Sequence, residues 1–151
     1  MTLFARKIRW KKEGLFIPVR PELWWMRTHA MTPTVEAVSD TISKIYFSGR
    51  DDRNRSHVGF AVVDLRDPHK ILDFSAEPVL APGELGCFDD NGVTPSSVVR
   101  VGDKTFLYYI GWNPGSTVRM HLFGGLAISD DGGRTFARYS RAPILERHGA
   151  F

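Results

Sequence analysis

The sequence is poor in cysteine: Cys87 is the only one in the chain. An internal disulfide is thereby excluded, and so is any Cys-x-x-Cys metal or redox site. Long apolar runs are missing too. With no stretch of about 18 such residues, nothing is expected to span a membrane. The apolar "LFIPV" behind the basic N-terminus is too short for the hydrophobic part of a secretion signal. Asn54-Arg55-Ser56 fits a glycosylation pattern but has no secretion context, so a cytoplasmic protein is expected. His57 and His121 sit in comparable stretches without a cysteine or close histidine partner, so no metal and no cofactor is expected. Helical periodicity over about ten residues or more is absent as well.

What is there points to strands. At 151 residues the chain is long enough for one domain with a real core. Its 14 glycines, 9 prolines and 12% aromatics favour many short strands joined by tight turns. Part of the +3 net charge lies in Arg6, Lys7, Arg9, Lys11 and Lys12, around Ile8 and Trp10. No motif of a nucleic-acid reader accompanies this run. It reads as a solvated entry segment, and no nucleic-acid partner is expected.

The chain also repeats itself. Thr32-Pro33 and Thr94-Pro95 lie 62 residues apart, and the same offset carries Tyr46 onto Tyr108 and Gly49 onto Gly111. Gly59, Ala61 and Asp64 then match Gly125, Ala127 and Asp130 at an offset of 66. "FSAEPVL" matches "YSRAPIL" at an offset of 65. Each repeat reads as four strands, in the second repeat at residues 97–101, 105–110, 125–129 and around Arg138. "VVRVGDKTFLYYI" is a hairpin turning at Gly102-Asp103, and "LAISDDGGRTFARY" another turning at residues 130–133. A unit of four antiparallel strands is the blade of a β-propeller. "SDDGGRTF", residues 129–136, resembles the Asp-box hairpin of sialidase-like propellers. There an aspartate caps backbone N–H groups and an aromatic packs beneath, which marks a fold rather than a catalyst.

The stretches "WWMRTHAMTP", "IYFSGRDDRNRSHVGFAVVDLRDP", "FDDNGVTPSSVV", "LYYIGWN" and "LAISDDGGRTFARYSRAPIL" together resemble the five-bladed β-propeller glycosidase superfamily. Arabinanases, invertases, levansucrases and mannoside phosphorylases belong to that group. The resemblance implies an all-β, partial propeller in a single domain: an N-terminal segment (1–31), a first blade (32–83) and a second blade (84–151). It also implies a carbohydrate ligand, with glycoside hydrolysis or phosphorolysis as the chemistry. In that superfamily an acidic residue comes from each of three blades. The third blade would follow "RHGAF", and in the first blade "THAMTP" carries no carboxylate.

Propeller topology puts the entry to each innermost strand on the same face as the loop between the second and third strands. "CFDDNGV" is such an entry, and "RTHAM" holds the same place in the first repeat. Asp89 and Asp90 are therefore the candidate catalytic carboxylates, against a plain reading as the acidic shoulder of an Asn-Gly turn. Neighbours on a strand point to opposite sides, and Asp90 is favoured as the one facing the channel. It would bind a substrate hydroxyl or tune a partner's pKa, since glycoside chemistry needs a second carboxyl group as well. Arg50, Asp51 and His57, on the loop expected at 50–57, are candidate donors for sugar hydroxyls or anions, or else a solvated charge run. His29, Thr94 and Trp112 complete the candidate substrate-binding set. Trp112 would stack on a sugar face or simply fill the core.

Three functions stay open: a glycosidase-like enzyme that is complete only with further blades, a non-catalytic glycan-binding or scaffold module, and a fragment without activity. The missing C-terminal blades could be replaced by a second copy, closing the ring as a homodimer.

Overall fold

A computed structural model describes residues 9–146. Arg6, Lys7 and Ile8 of the basic run, and the closing "RHGAF", lie outside the described residues. Strands β1 (Met31–Ala37), β2 (Ile42–Arg50), β3 (Ser56–Asp64) and β4 (Asp67–Phe74) form one antiparallel sheet in that order. Strands β5 (Val93–Val101), β6 (Lys104–Pro114), β7 (Met120–Ser129) and β8 (Ala137–Arg138) form a second. The described residues hold no α-helix, and thus no helix long and apolar enough to cross a membrane.

The repeated residues have repeated tasks. Thr32-Pro33 and Thr94-Pro95 both fall where the innermost strand slips register against its neighbour, between Met31 and Thr34 and between Pro95 and Ser97. Proline has no N–H for the ladder, so an irregular point of an inner strand is where it fits. Gly49 and Gly111 let the entry segments cross closely over the second strand. A Cβ on Gly49 would lie 2.8 Å from Met26 Cα, and one on Gly111 would lie 2.7 Å from Asp89 Cβ.

Strand lengths differ from the sequence reading. The β6–β7 ladder continues through Trp112↔Leu122, Asn113↔His121 and Pro114↔Met120, and β2–β3 continues through Gly49↔His57 and Arg50↔Ser56. The loop expected at 50–57 shrinks to 51–55, the one between the second repeat's strands expected at 105–110 and 125–129 shrinks to 115–119, and that repeat's inner strand begins at Val93 instead of Ser97. Glycine, asparagine and proline suggested loops there, but pairing with a long partner strand overrides that local preference.

Side-chain alternation builds two cores around the first sheet. On β2, Tyr46 faces the second sheet, where it packs with Val58, Phe60, Val79 and Leu80 against Phe88, Val93, Leu107 and Tyr109. Ile45 and Phe47 face the other way, onto Trp25, Met26 and Ile17 of the N-terminal segment. Each large apolar side chain fully buried here contributes roughly 1.5–3 kcal/mol. Polar contacts lock the two sheets in register. Lys44 Nζ donates to the Gly132 carbonyl at 2.6 Å, Tyr46 Oη to the Gly133 carbonyl at 3.2 Å, and Arg100 Nε to Glu36 Oε1 at 2.9 Å. The 130–135 hairpin is tied by Asp131, which accepts from the Arg134 and Thr135 N–H groups at 2.9 and 3.0 Å. Phe136 packs against the inter-sheet core.

Candidate functional site

At the end of the sheets where β1 and β5 begin, a cleft of about 270 Å³ opens between them. Its walls are Arg50, Asn54 and Ser56 from the first sheet and Asn91, Trp112, Arg119 and Met120 from the second. Entry segments and second-to-third-strand loops meet at this face, as the propeller reading expects. The Arg27 N–H donates to the Arg50 carbonyl at 2.8 Å, and the Asn91 N–H to the Trp112 carbonyl at 3.0 Å.

Trp112 is held by its indole. Its Nε1–H donates to Thr94 Oγ1 at 2.9 Å, and Thr94 in turn lies 3.3 Å from Ser56 Oγ. Ser56 spends its own proton on the Val93 carbonyl at 2.8 Å. Two hydroxyl side chains, one from each sheet, thus fix one aromatic ring at the cleft wall. Arg50 is steadied by Asn54, whose Oδ1 accepts from Nη1 at 2.8 Å. Arg50 Nε is buried and has no partner among the described residues.

Asp51 organises the loop behind Arg50. Its Oδ1 accepts from the Arg53 and Arg55 N–H groups, and its Oδ2 from Arg55 Nε and His57 Nε2. Burial works to raise this carboxyl, but the His57 and Arg55 hydrogen bonds outweigh it and leave it below its ordinary range. For His57 burial wins: the ring is 1% exposed and packs edge-on against Trp24, and its pKa falls despite Asp51. The imidazole is thus kept neutral, with Nδ1 left without a partner among the described residues.

The aspartate pair separates. Asp89 is fully buried against the second sheet, where its Oδ2 accepts from Tyr109 Oη at 3.0 Å and from Arg138 Nε at 2.8 Å. Arg138 also donates to the Ala81 carbonyl, so the three side chains clamp the segment joining the repeats onto the outer strand β8. Burial, with Asp89 adding to it, pushes the Tyr109 phenol well above its ordinary value. Asp90 is partly exposed. Its Oδ2 accepts from the Gly86 N–H at 2.9 Å and its Oδ1 from Asn113 Nδ2 at 3.1 Å. Neither carboxylate lines the cleft.

Of the candidate residues, then, Arg50 and Trp112 come together at the cleft and Thr94 supports Trp112 from behind. Asp51 and His57 shape the loop from its far side. His29 is exposed on the entry segment, its Nδ1 2.7 Å from Thr28 Oγ1, and does not line the cleft. Asn54, Ser56, Asn91, Arg119 and Met120 were not named as binding residues from sequence. All five lie in or beside the stretches assigned to this face, so position was legible although the individual side chains were not.

No protein-family model matches the chain. It is 47% identical over 136 residues to uncharacterised proteins of two Mycobacterium tuberculosis strains, a match that takes in 90% of this chain and 45% of theirs. It is 36% identical over 70 residues to a β-1,2-mannobiose phosphorylase of a Thermoanaerobacter species, covering 43% of this chain and 22% of that protein. Among solved structures, a family 117 glycoside hydrolase of Zobellia galactanivorans superimposes with a TM-score of 0.72 at 19% identity, over 93% of this chain and 40% of that one. A glycosyl hydrolase of Bacteroides ovatus superimposes with a TM-score of 0.60 at 15% identity, over 79% of this chain and 32% of that one. The chain spans less than half the length of these relatives; its own fold is all-β and partial propeller-like, with two four-stranded antiparallel sheets, and it shares a fold with the superimposed hydrolases.

Proposed function

We propose that this chain is a carbohydrate-active protein whose cleft between the two sheets binds a sugar, and that it does not catalyse glycoside cleavage by itself. The observation that carries this reading is Trp112, pinned by Thr94 at the wall of a cleft lined by arginine, asparagine and serine. A flat aromatic surface ringed by directional hydrogen-bonding groups suits a ring that is apolar on its faces and hydroxylated at its edge. The glycoside hydrolase neighbours and the mannobiose phosphorylase likeness point to the same ligand class. Glycoside cleavage needs two carboxyl groups about 5–9.5 Å apart across the scissile bond. Among the described residues no carboxylate lines the cleft, and Asp89 is committed to Arg138 and Tyr109. Asp90, next in sequence to the cleft residue Asn91 and hydrogen-bonded to Asn113, is the carboxylate we assign to contact with a longer substrate. The remaining acid would come from further blades, in a longer polypeptide or a second copy, completing a five-bladed ring.

The test is a calorimetric titration of the chain with β-1,2-mannobiose and a panel of other disaccharides, alongside an assay for released monosaccharide with and without phosphate. Saturable binding to at least one sugar, lost in Trp112→Ala and without turnover, is the expected result. Failure of every sugar to bind would remove the carbohydrate reading. Turnover by the chain alone would remove its incompleteness.

A further inference from the structure

The charge on the cleft wall is one-sided. Several guanidinium groups elsewhere are matched by carboxylates. Arg55 meets Asp51, Arg66 Asp64, Arg100 Glu36, Arg134 Asp73 and Arg138 Asp89, all at N–O distances of 2.6–3.0 Å. Arg9, Arg20 and Arg53 lack such a partner among the described residues, as do Arg50 and Arg119, but of these five it is Arg50 and Arg119 that line the cleft. Among the described residues neither has a carboxylate within ion-pair distance. Arg50 has only the neutral Asn54 oxygen on Nη1, while its Nε proton is buried without an acceptor. The other wall groups, Asn54, Ser56 and Asn91, add no negative charge.

Resting on the reading of this cleft as a sugar site, we propose that the sugar it takes is acidic, its ring bearing a carboxylate or a phosphate ester. Two guanidinium forks without internal counter-ions match the planar or trigonal oxygens of such groups and distinguish them from hydroxyls. Trp112 offers its face to the ring while Arg50 and Arg119 receive the anion. The cleft, at about 270 Å³, lies just below the usual range for ligand sites of about 300–1,000 Å³ and suits a single ring.

The experiment titrates the full chain by calorimetry at low salt with D-glucuronate, D-glucose 6-phosphate, D-glucose and inorganic phosphate. Both acidic sugars are expected to bind about tenfold or more tightly than glucose, and that advantage should shrink as salt is raised. Arg119→Gln, at an exposed position that should not threaten folding, is expected to bring the acidic sugars down to the level of glucose. Arg50→Gln should do the same. Arg66→Gln, in an exposed ion pair on the distant β3–β4 turn, should change nothing. Glucose binding as well as glucuronate and glucose 6-phosphate would overturn the acidic specificity and leave the carbohydrate site standing. Inorganic phosphate binding as tightly as glucose 6-phosphate would show that the anion need not be ring-borne, which also overturns it. If none of the sugars binds, both readings fall.

Discussion

Removing the Asp89 carboxyl would leave the Arg138 guanidinium and the Tyr109 hydroxyl without the acceptor they share. Breaking a buried ion pair from one side costs about 3–5 kcal/mol, and Arg138 is open enough to water to favour the lower end. Asp89→Ala is therefore expected to lower unfolding stability by roughly 3 kcal/mol. Asp90→Ala, which gives up hydrogen bonds at a partly exposed turn, should cost about 1 kcal/mol. Urea denaturation of the two variants checks the order. Equal losses would contradict the division of labour between the neighbours. The sequence stretch "CFDDNGV" revealed where the pair sits in a blade but not which aspartate turns inward. That choice depends on Gly111, Tyr109 and Arg138, which reach the pair through sheet pairing and not through local turn chemistry. The candidate role of His57 failed to show at the cleft for a similar reason: its partner Trp24 comes from the N-terminal segment, across the first sheet.

The loop at 51–55 and the strand ends beside it are tied together by Asp51. In the folded chain His57 takes up a proton less readily than its ordinary value of 6.5 would allow, because burial disfavours the imidazolium. The unfolded chain binds that proton first as the pH falls, so stability present above about 6.5 is lost below it. Asp51 acts in the same direction lower down, below its ordinary 3.8, where protonation would surrender the Arg55 and His57 bonds. Thermal unfolding midpoints are thus expected to fall from about pH 7 to about pH 5 in the wild type. In His57→Gln the fall over that interval should be shallower. An unchanged slope would assign the loss to other groups. At this scale hairpin turns were legible, because Gly102-Asp103 and the 130–133 turn carry their own chemistry. Strand ends were not, since a ladder extends as far as both partners allow.

Across the whole molecule, the repeat exposes a face that its first copy buries. Val58 exchanges backbone hydrogen bonds with Val79 and Leu80, and Gly124 makes the same bonds with Ile144 and Leu145. Leu80 is 3% exposed against the second sheet, whereas Leu145 is 63% exposed; Tyr46 is 0% exposed and Tyr108 40%. With Leu122 and Val99 these side chains leave an apolar face of the kind that another blade covers in stacked architectures. The described chain should therefore associate with rising concentration, read as an increasing molar mass by light scattering. Tyr108→Glu and Leu145→Glu should suppress this, and a strictly monomeric wild type would contradict it. The 62-residue offset made this stacking legible, because matched residues occupy matched positions in both sheets. It could not show the cleft itself, which is formed by side chains of two different repeats. The most direct measurement of the site is a backbone amide and indole NMR titration of the chain with glucuronate and β-1,2-mannobiose. Shifts concentrated at residues 50–56, Asn91 and 112–120, with the Trp112 indole proton among the largest, are the expected result. Shifts clustered on the apolar face around Tyr108, or spread without a centre, would contradict a sugar site between the sheets.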